Sequence, residues 1–453
     1  MVYKDIEDRP LKINKKRKNN DILRKNGRRI TMKNNNICIV KLPNGDNYAI
    51  ISPYRITYGL NASKKDLQHL ILEEYELLDK KELKNESSDE IKTSIGIIPT
   101  FDCNLRCIYC YARGGETKET ISIEVMTTAI KNATPDNNKD LLKIYLVGGG
   151  EPLLYFDLVS KVIDYAKTIY KNIEINVVTN GTFNEEVLNW LVEQRANVRI
   201  SYDGMMHEKQ RPFANGKSSR NIVKENIRKL VQYGISVTVQ CIITREGIKT
   251  FYSTINEVVS LGVKIIKFEP ALATDVSRAN TKIEPNPKKY AEALLNVIKY
   301  VATKKFDIGI DTGFFAEPSN DFYCGMPAGN RVVTPHGLIT SCVEVSRPDD
   351  PYADILFYGS IKNEQIYLDD EKMNFLKTIH FKNQIGGCNN CNLRLICHGG
   401  CPMSNIWKGG LPIKKSNFTC IVEHTFLPNL LLMIAQDPNI AKIVTENTNI
   451  DKF

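Results

Sequence analysis

The stretch SIGIIPTFDCNLRCIYC, residues 94–110, decides how the rest of the chain is read. It opens with Ile95, Ile97 and Ile98, residues that favour a strand, and breaks at Pro99. Cys103, Cys107 and Cys110 follow with the spacing Cys-x3-Cys-x2-Cys. Three thiolates on one short loop can hold three irons of a 4Fe-4S cluster and leave the fourth iron open to a chelating ligand. Zinc is the alternative metal, but a closed zinc site takes four ligands, and no His or further Cys stands near the loop.

Working outward, short β-branched runs recur at 94–99, 143–147, 173–179, 197–202, 235–243 and 264–268. Amphipathic helical stretches lie between them, near 121–133, 156–170, 184–194, 219–233 and 249–261. Strands alternating with helices predict an α/β fold with a parallel sheet. Six units make an open, partial (β/α)6 TIM-like barrel and are too few for a closed eight-stranded one. Right-handed crossovers bring the C-terminal strand ends to one mouth, where chemistry is expected.

A chain of 453 residues is expected to hold two or three domains. We read an N-terminal domain at 1–92, the barrel at 93–312 and a Cys-rich, irregular domain at 313–453. The first is a small α+β unit. Apolar runs at 37–42 and 48–51 flank the turn Pro43-Asn44-Gly45-Asp46, helical spacing covers 65–78, and 79–92 is a polar linker. A further helix is predicted at 286–303, and an apolar one near 425–435. The Cys-rich segment between them lacks periodicity and needs something other than apolar burial to order it, which metal clusters would supply.

The composition, 42% hydrophobic and 25% charged, is that of a globular protein and excludes fibrous or wholly disordered classes. There is no 18-residue apolar run and no signal-peptide core, so a cytoplasmic location without a membrane partner is expected. Twelve cysteines in such a chain argue against a disulfide framework. The net charge is +9, and residues 1–30 hold eleven Lys/Arg against four Asp/Glu, including Lys15-Lys16-Arg17-Lys18. A solvated basic arm is the plain reading. No aromatic residues interleave with the run, which speaks against a nucleic-acid partner.

The cysteine loop, with Tyr109 before its third Cys, resembles the signature of the radical S-adenosylmethionine (SAM) superfamily. The resemblance implies that the open iron is chelated by SAM, which the reduced cluster cleaves to a 5′-deoxyadenosyl radical. Gly148-Gly149-Gly150-Glu151-Pro152, ending the second strand, is similar to the family's glycine-rich motif beside the SAM amino group. Asn180 and Ser201, at the ends of the third and fourth strands, correspond to positions lining the SAM pocket and its ribose. Arg211 is a further implied cofactor contact. Asp203, His207 and Arg220 could contact SAM or substrate, and Glu269 is expected to face the mouth.

The remaining set, Cys324, Cys342, Cys388, Cys391, Cys397, Cys401 and Cys420, resembles the SPASM extension of that superfamily, the whole resemblance covering roughly 93–425. Zinc on Cys388, Cys391, Cys397 and Cys401, with His398 spare, stays open as an alternative. The resemblance implies two auxiliary 4Fe-4S clusters. Cys388, Cys391, Cys397 and Cys420 would hold the distal one, and Cys324, Cys342 and Cys401 the proximal one. Where some members carry a fourth proximal Cys this chain has Asn330, so an open iron or a borrowed ligand such as Cys241 is implied. Sulfatase-maturing members carry an Asp directly after the second SPASM Cys; here Cys342 is followed by Val343-Glu344. Glu344 is therefore the candidate base, with Asp203 and Glu269 as further catalytic candidates. Cys38 and Cys241 otherwise read as small buried hydrophobes.

The expected function is oxidative modification of a peptide or protein side chain, such as a thioether cross-link, with three 4Fe-4S clusters and SAM as cofactors. A flavodoxin- or ferredoxin-type reductant is the expected second partner. Members of this kind often recognise a leader peptide by strand addition, with which residues 37–78 are compatible. The alternatives are a sulfatase-maturase-type enzyme or small-molecule dehydrogenase, and, outside catalysis, an iron–sulfur electron carrier or zinc scaffold.

Overall fold

The computed structural model describes residues 22–25, 28–31, 37–52, 55–80, 93–134, 139–274, 277–314, 322–379, 387–410 and 415–446. The basic run at 15–18 and most of the linker 79–92 lie outside them. Strands β1 (Ile22–Lys25) and β2 (Arg28–Thr31) form an antiparallel pair. Strands β3 (Cys38–Lys41), β4 (Tyr48–Ile51) and β5 (Ile56–Gly59) form an antiparallel sheet, followed by the helix Lys64–Lys80. The hairpin and helix are where the sequence placed them; β5 is additional.

The main sheet is built from β6 (Ser94–Ile97), β7 (Leu141–Leu146), β8 (Asn172–Thr179), β9 (Asn197–Ser201), β10 (Val237–Ile243), β11 (Ile265–Pro270) and β12 (Gly309–Asp311). All pair in parallel with their sequence neighbours, as a partial TIM-type barrel requires. The six expected strands are present, and β12 adds a seventh. Three of the crossover helices start where a side chain closes the first turn. Ser122, Asn184 and Asn286 cap the helices Ile123–Lys131, Glu185–Glu193 and Pro287–Lys304 by accepting a backbone N–H.

The Cys-rich part is more regular than its sequence suggests. Strands β13 (Val332–Val333), β14 (Leu338–Thr340), β15 (Phe357–Lys362) and β16 (Gln365–Leu368) continue the main sheet. β13 lies parallel beside β6, so the turn into Cys342 is tied to the strand that leads into Cys103. The apolar helix Asn417–Gln436 is long and apolar enough to cross a membrane by length and composition alone. Its Val422, Phe426, Leu427, Leu430 and Leu431 are buried, and it packs on Pro287–Lys304 like any core helix. The N-terminal sheet docks at the other end of the Cys-rich part: the Arg394 guanidinium donates to the carbonyls of Ile37 (3.0 Å) and Cys391 (3.1 Å).

Candidate functional site

Side chains alternate along each strand, so one face of β7–β11 packs on the helices and the other lines the lumen. On β9, Val198 and Ile200 are buried outward while Arg199 and Ser201 face inward; Gln240 on β10 and Lys267 and Glu269 on β11 do the same. The lumen is a cavity of about 550 Å³. Cys103, Cys107 and Cys110 border it at one end, and Cys324, Cys342 and Cys401 border the same cavity, with Glu344 among them. Cys388, Cys391, Cys397 and Cys420 surround a second, small cavity of about 50 Å³ together with Glu423 and His424.

The three-cysteine loop is held by close backbone approach. A Cβ on Gly150 would collide with the Asp102 carbonyl, and one on Gly114 would lie 2.9 Å from the Gly149 carbonyl and 3.2 Å from the Cys103 Cβ. Glycine at 114 and 150 therefore lets the 148–151 turn lie directly on the loop. Each sulfur has its own donor: Asn180 Nδ2 at 3.9 Å from Cys103, Arg211 Nη1 at 3.9 Å from Cys107, and the Gly114 N–H at 3.4 Å from Cys110. Burial, reinforced by Glu151, pushes the Cys103 thiol up to about 12, and burial pushes Cys107 up to about 11. Bare, these are thiols; a bound metal group takes them as thiolates and releases their protons. Cys401 caps the helix Pro402–Gly409, accepting the Ser404 N–H at 3.5 Å, so that sulfur sits at a positive helix end. Among the described residues no three His, Cys, Asp or Glu side chains converge on a point, as a single zinc ion would need. Thiols ringed around a cavity, with N–H donors to Cys103, Cys107, Cys110, Cys391 and Cys401, fit iron–sulfur clusters better than zinc.

Of the implied SAM contacts, Tyr109, Gly148, Gly150, Glu151, Asn180, Ser201 and Arg211 line the lumen; Gly149 does not, turning against Ile98 and Phe101. Glu151 is buried, and its carboxyl accepts from Thr179 Oγ1 (2.7 Å), the Asn180 N–H (2.6 Å) and the Leu153 N–H (3.2 Å). Burial nonetheless holds its pKa at about 7.

The three catalytic candidates separate. Glu344 opens on the lumen, accepts from Trp407 Nε1 at 3.0 Å, and has its pKa raised by burial with a smaller push from Glu269. Glu269 also opens on the lumen. Burial would raise it, but Lys267 (2.9 Å) and Gln240 (2.6 Å) bind its two oxygens and hold it below the usual carboxylate range. Two carboxyls in one cavity are thus pushed in opposite directions. Asp203, by contrast, does not border the lumen. It is buried beneath, accepting from Tyr109 Oη, Gln210 Nε2 (2.8 Å), Arg211 Nε (3.0 Å) and the Ile242 N–H (2.9 Å). Asp203 orients Tyr109 and Arg211. His207 and Arg220 are likewise internal ties, to Ser219 and to Glu257.

Asn330 lines the lumen near Cys324. Cys241 does not; it is 1% exposed in the core beside β11 and so is misplaced as a borrowed ligand. Sequence reasoning missed Tyr111, Arg199, Thr238 and Trp407, all of which line the cavity. The i, i+2 pairs Arg199/Ser201 and Thr238/Gln240 were the available signal, since each shares a face with a lumen residue.

These features are those of a known class. The profile of the Radical SAM superfamily matches residues 97–258, and the chain belongs to that superfamily. S-adenosylmethionine and 4Fe-4S chemistry are accordingly its cofactors. An uncharacterised protein of Methanocaldococcus jannaschii is 30% identical over 202 residues, 44% of this chain and 68% of that one. A cysteine-type anaerobic sulfatase-maturating enzyme of Clostridium novyi is 24% identical over 328 residues, 66% of this chain and 85% of the relative. Among solved structures, native anSMEcpe with bound AdoMet and the Cp18Cys peptide superposes with a TM-score of 0.65 at 19% identity, covering 76% of this chain and 98% of that one. Streptococcus suis SuiB bound to its precursor peptide SuiA gives 0.54 at 11% identity, covering 85% and 98%. The fold is that of SPASM-type radical SAM enzymes.

Proposed function

We propose that the protein is a peptide or protein maturase that oxidises a side chain held in the barrel lumen. The observation that carries this is the single cavity joining Cys103, Cys107 and Cys110 to Cys324, Cys342 and Cys401, with Glu344 exposed inside it. The chain divides, on this proposal, into a recognition domain at 1–92, the barrel at 93–312 and the auxiliary-cluster domain at 313–453. Cys103, Cys107 and Cys110 would hold the SAM-binding cluster. Cys324, Cys342 and Cys401 would hold the proximal auxiliary cluster, and Cys388, Cys391, Cys397 and Cys420 the distal one. When bound, these groups and SAM supply one-electron chemistry able to remove hydrogen from an unactivated carbon.

The chain's own residues do the rest. The glycine turn at 148–150, Glu151 and Asn180 present polar groups to the methionine end of SAM, and Ser201 to its ribose. Arg211, fixed by Asp203, stays beside Cys107. Glu344 is the group suited to take a proton from substrate, because burial disfavours its charged form; Glu269, held ionised by Lys267, is not. The enclosed lumen keeps water from a reactive substrate. Electrons would come from a flavodoxin- or ferredoxin-type donor in the reducing cytoplasm, where twelve free cysteines are at home.

A second reading is supported by the position of Glu344. A carboxyl two residues after Cys342, open to the lumen, also suits cysteine-type sulfatase maturation, the activity named for the Clostridium novyi relative. The test is anaerobic reconstitution, then SAM cleavage with a reductant and peptide products read by mass spectrometry. About twelve irons per chain and 5′-deoxyadenosine release are expected. A thioether keeps the substrate sulfur, whereas sulfatase-type oxidation of Cys releases it. No iron, or no cleavage, would sink the proposal.

A further inference from the structure

Two polar side chains on adjacent strands line the lumen and each holds a buried polar atom without a hydrogen-bond partner. Arg199 on β9 and Thr238 on β10 are paired residues in the β9–β10 register, and both line the cavity. Thr238 is 3% exposed, and its Oγ1 is buried with no hydrogen-bond partner. The Nε of Arg199 is likewise buried and unpartnered. Of the lumen acids, Glu269 is taken by Lys267 and Gln240, with the Arg199 charge also helping to hold it ionised, and Glu344 is taken by Trp407. Glu174, outside the lumen on β8, receives the Asn176 and Asn197 amides, each at 3.3 Å. No carboxylate among the described residues lies within ion-pair distance of Arg199.

A buried guanidinium edge and a buried hydroxyl left unsatisfied side by side are costly unless something completes them. Neighbouring strands lie about 4.8 Å apart, so both groups can reach one small planar anion. Arginine's fork matches a carboxylate in two hydrogen bonds, and a threonine hydroxyl adds a third donor. The next cation, Lys267, adds positive potential rather than competing for it. Arg199 stands two residues below Ser201 on the same face, about 7 Å deeper into the lumen than the expected ribose contact.

We propose that Arg199 and Thr238 form a carboxylate-binding subsite for the substrate, an inference that rests on the maturase reading. The carboxylate is either an acidic side chain or the C-terminal carboxyl of a peptide, and the pair fixes which residue lies at the reacting end of the lumen.

The test uses the reconstituted holoenzyme with SAM, under anaerobic conditions, and three small amino-acid probes, with inorganic phosphate as a fourth, followed by calorimetry. N-acetyl-glutamate α-amide offers a side-chain carboxylate, N-acetyl-glutamine a terminal one, and N-acetyl-glutamine amide neither. Binding of one or both acids, with none of the neutral amide, is expected, and the preferred acid identifies the source. Arg199→Gln is expected to weaken acid binding about tenfold or more, Arg199→Lys less, and Thr238→Val a few-fold. A circular dichroism spectrum and iron content like those of the unsubstituted enzyme show that each variant is folded and loaded; Arg199→Lys serves where Arg199→Gln is not. Equal binding of the neutral amide, acid binding unchanged in Arg199→Gln, preference for inorganic phosphate, or no acid binding at all would each overturn the subsite. Unsubstituted enzyme that cleaves SAM but binds no acid would overturn the subsite alone, whereas enzyme that cannot cleave SAM would remove the reading beneath it.

Discussion

The indole Nε1 of Trp407 donates to Glu344 Oε2 at 3.0 Å, joining the helix that Cys401 caps to the carboxyl that follows Cys342. Two cysteines of one proposed cluster set are thereby linked through the group best placed to accept a substrate proton. Glu344→Gln keeps an oxygen for Trp407 but cannot take a proton. Substrate oxidation is expected to fall about a hundredfold or more, with peptide affinity little changed. Trp407→Phe removes only the orienting donor and is expected to cost about tenfold. Anaerobic turnover of a modified peptide measures both, and normal turnover in Glu344→Gln would show that the proton leaves by another route.

His207 gives the fold a dependence on pH. It is buried, with the Asp203 N–H 3.3 Å from its Nδ1 and Ser219 Oγ 2.9 Å from its Nε2, and burial lowers its pKa to about 4. In the unfolded chain the ring takes a proton below about 6.5, while the folded protein holds it neutral. The unfolded state therefore binds more protons in this window, and stability falls as pH drops from about 6.5 towards about 4, by about 3 kcal/mol in all. Urea unfolding of the iron-free protein at several pH values is expected to show a flatter dependence in His207→Gln. An unchanged slope would mean that His207 is already charged in the folded state.

Cys391→Ala is expected to lower iron by about four per chain and to leave the lumen clusters in place. Loss of the distal group would loosen the loop whose Cys391 carbonyl Arg394 ties to that of Ile37, so the same change is expected to speed amide exchange in β3. Iron analysis and hydrogen exchange read the two effects separately. Full iron content in the variant would remove Cys391 from the distal set.

Alkylation of the iron-free protein ranks the twelve thiols. Cys38 and Cys241 are each 1% exposed; burial pushes Cys38 up to about 11 and holds Cys241 well above the ordinary thiol value. Cys388 and Cys420 are part-exposed, with smaller upward shifts. Iodoacetamide followed by peptide mapping is expected to label Cys388 and Cys420 early and Cys38 and Cys241 last. Early labelling of Cys241 would place it at the lumen after all.

The barrel was legible because its strands are long enough to show β-branched runs between amphipathic helices. β12 and β13, three and two residues long, were not, because alternation cannot be recognised in so few positions. The cysteines were legible because their spacing is local. Asp203 was named a catalytic candidate from its place at a strand end, and nothing local shows that Tyr109, Gln210, Arg211 and the Ile242 N–H converge on it. Arg199 and Thr238 became a pair only through the β9–β10 register, which no single segment encodes.

The parallel seam between β6 and β13 sets an order of assembly. During synthesis Cys103, Cys107 and Cys110 emerge early, just after a strand whose outer edge has no neighbour until Val332 and Val333 leave the ribosome. Only then can the chain close that edge and bring the later cysteines to the same chamber. Closing of the lumen is therefore a late step of synthesis, and a chain truncated before β13 would present the Cys103–Cys110 loop to the cell from an unfinished sheet.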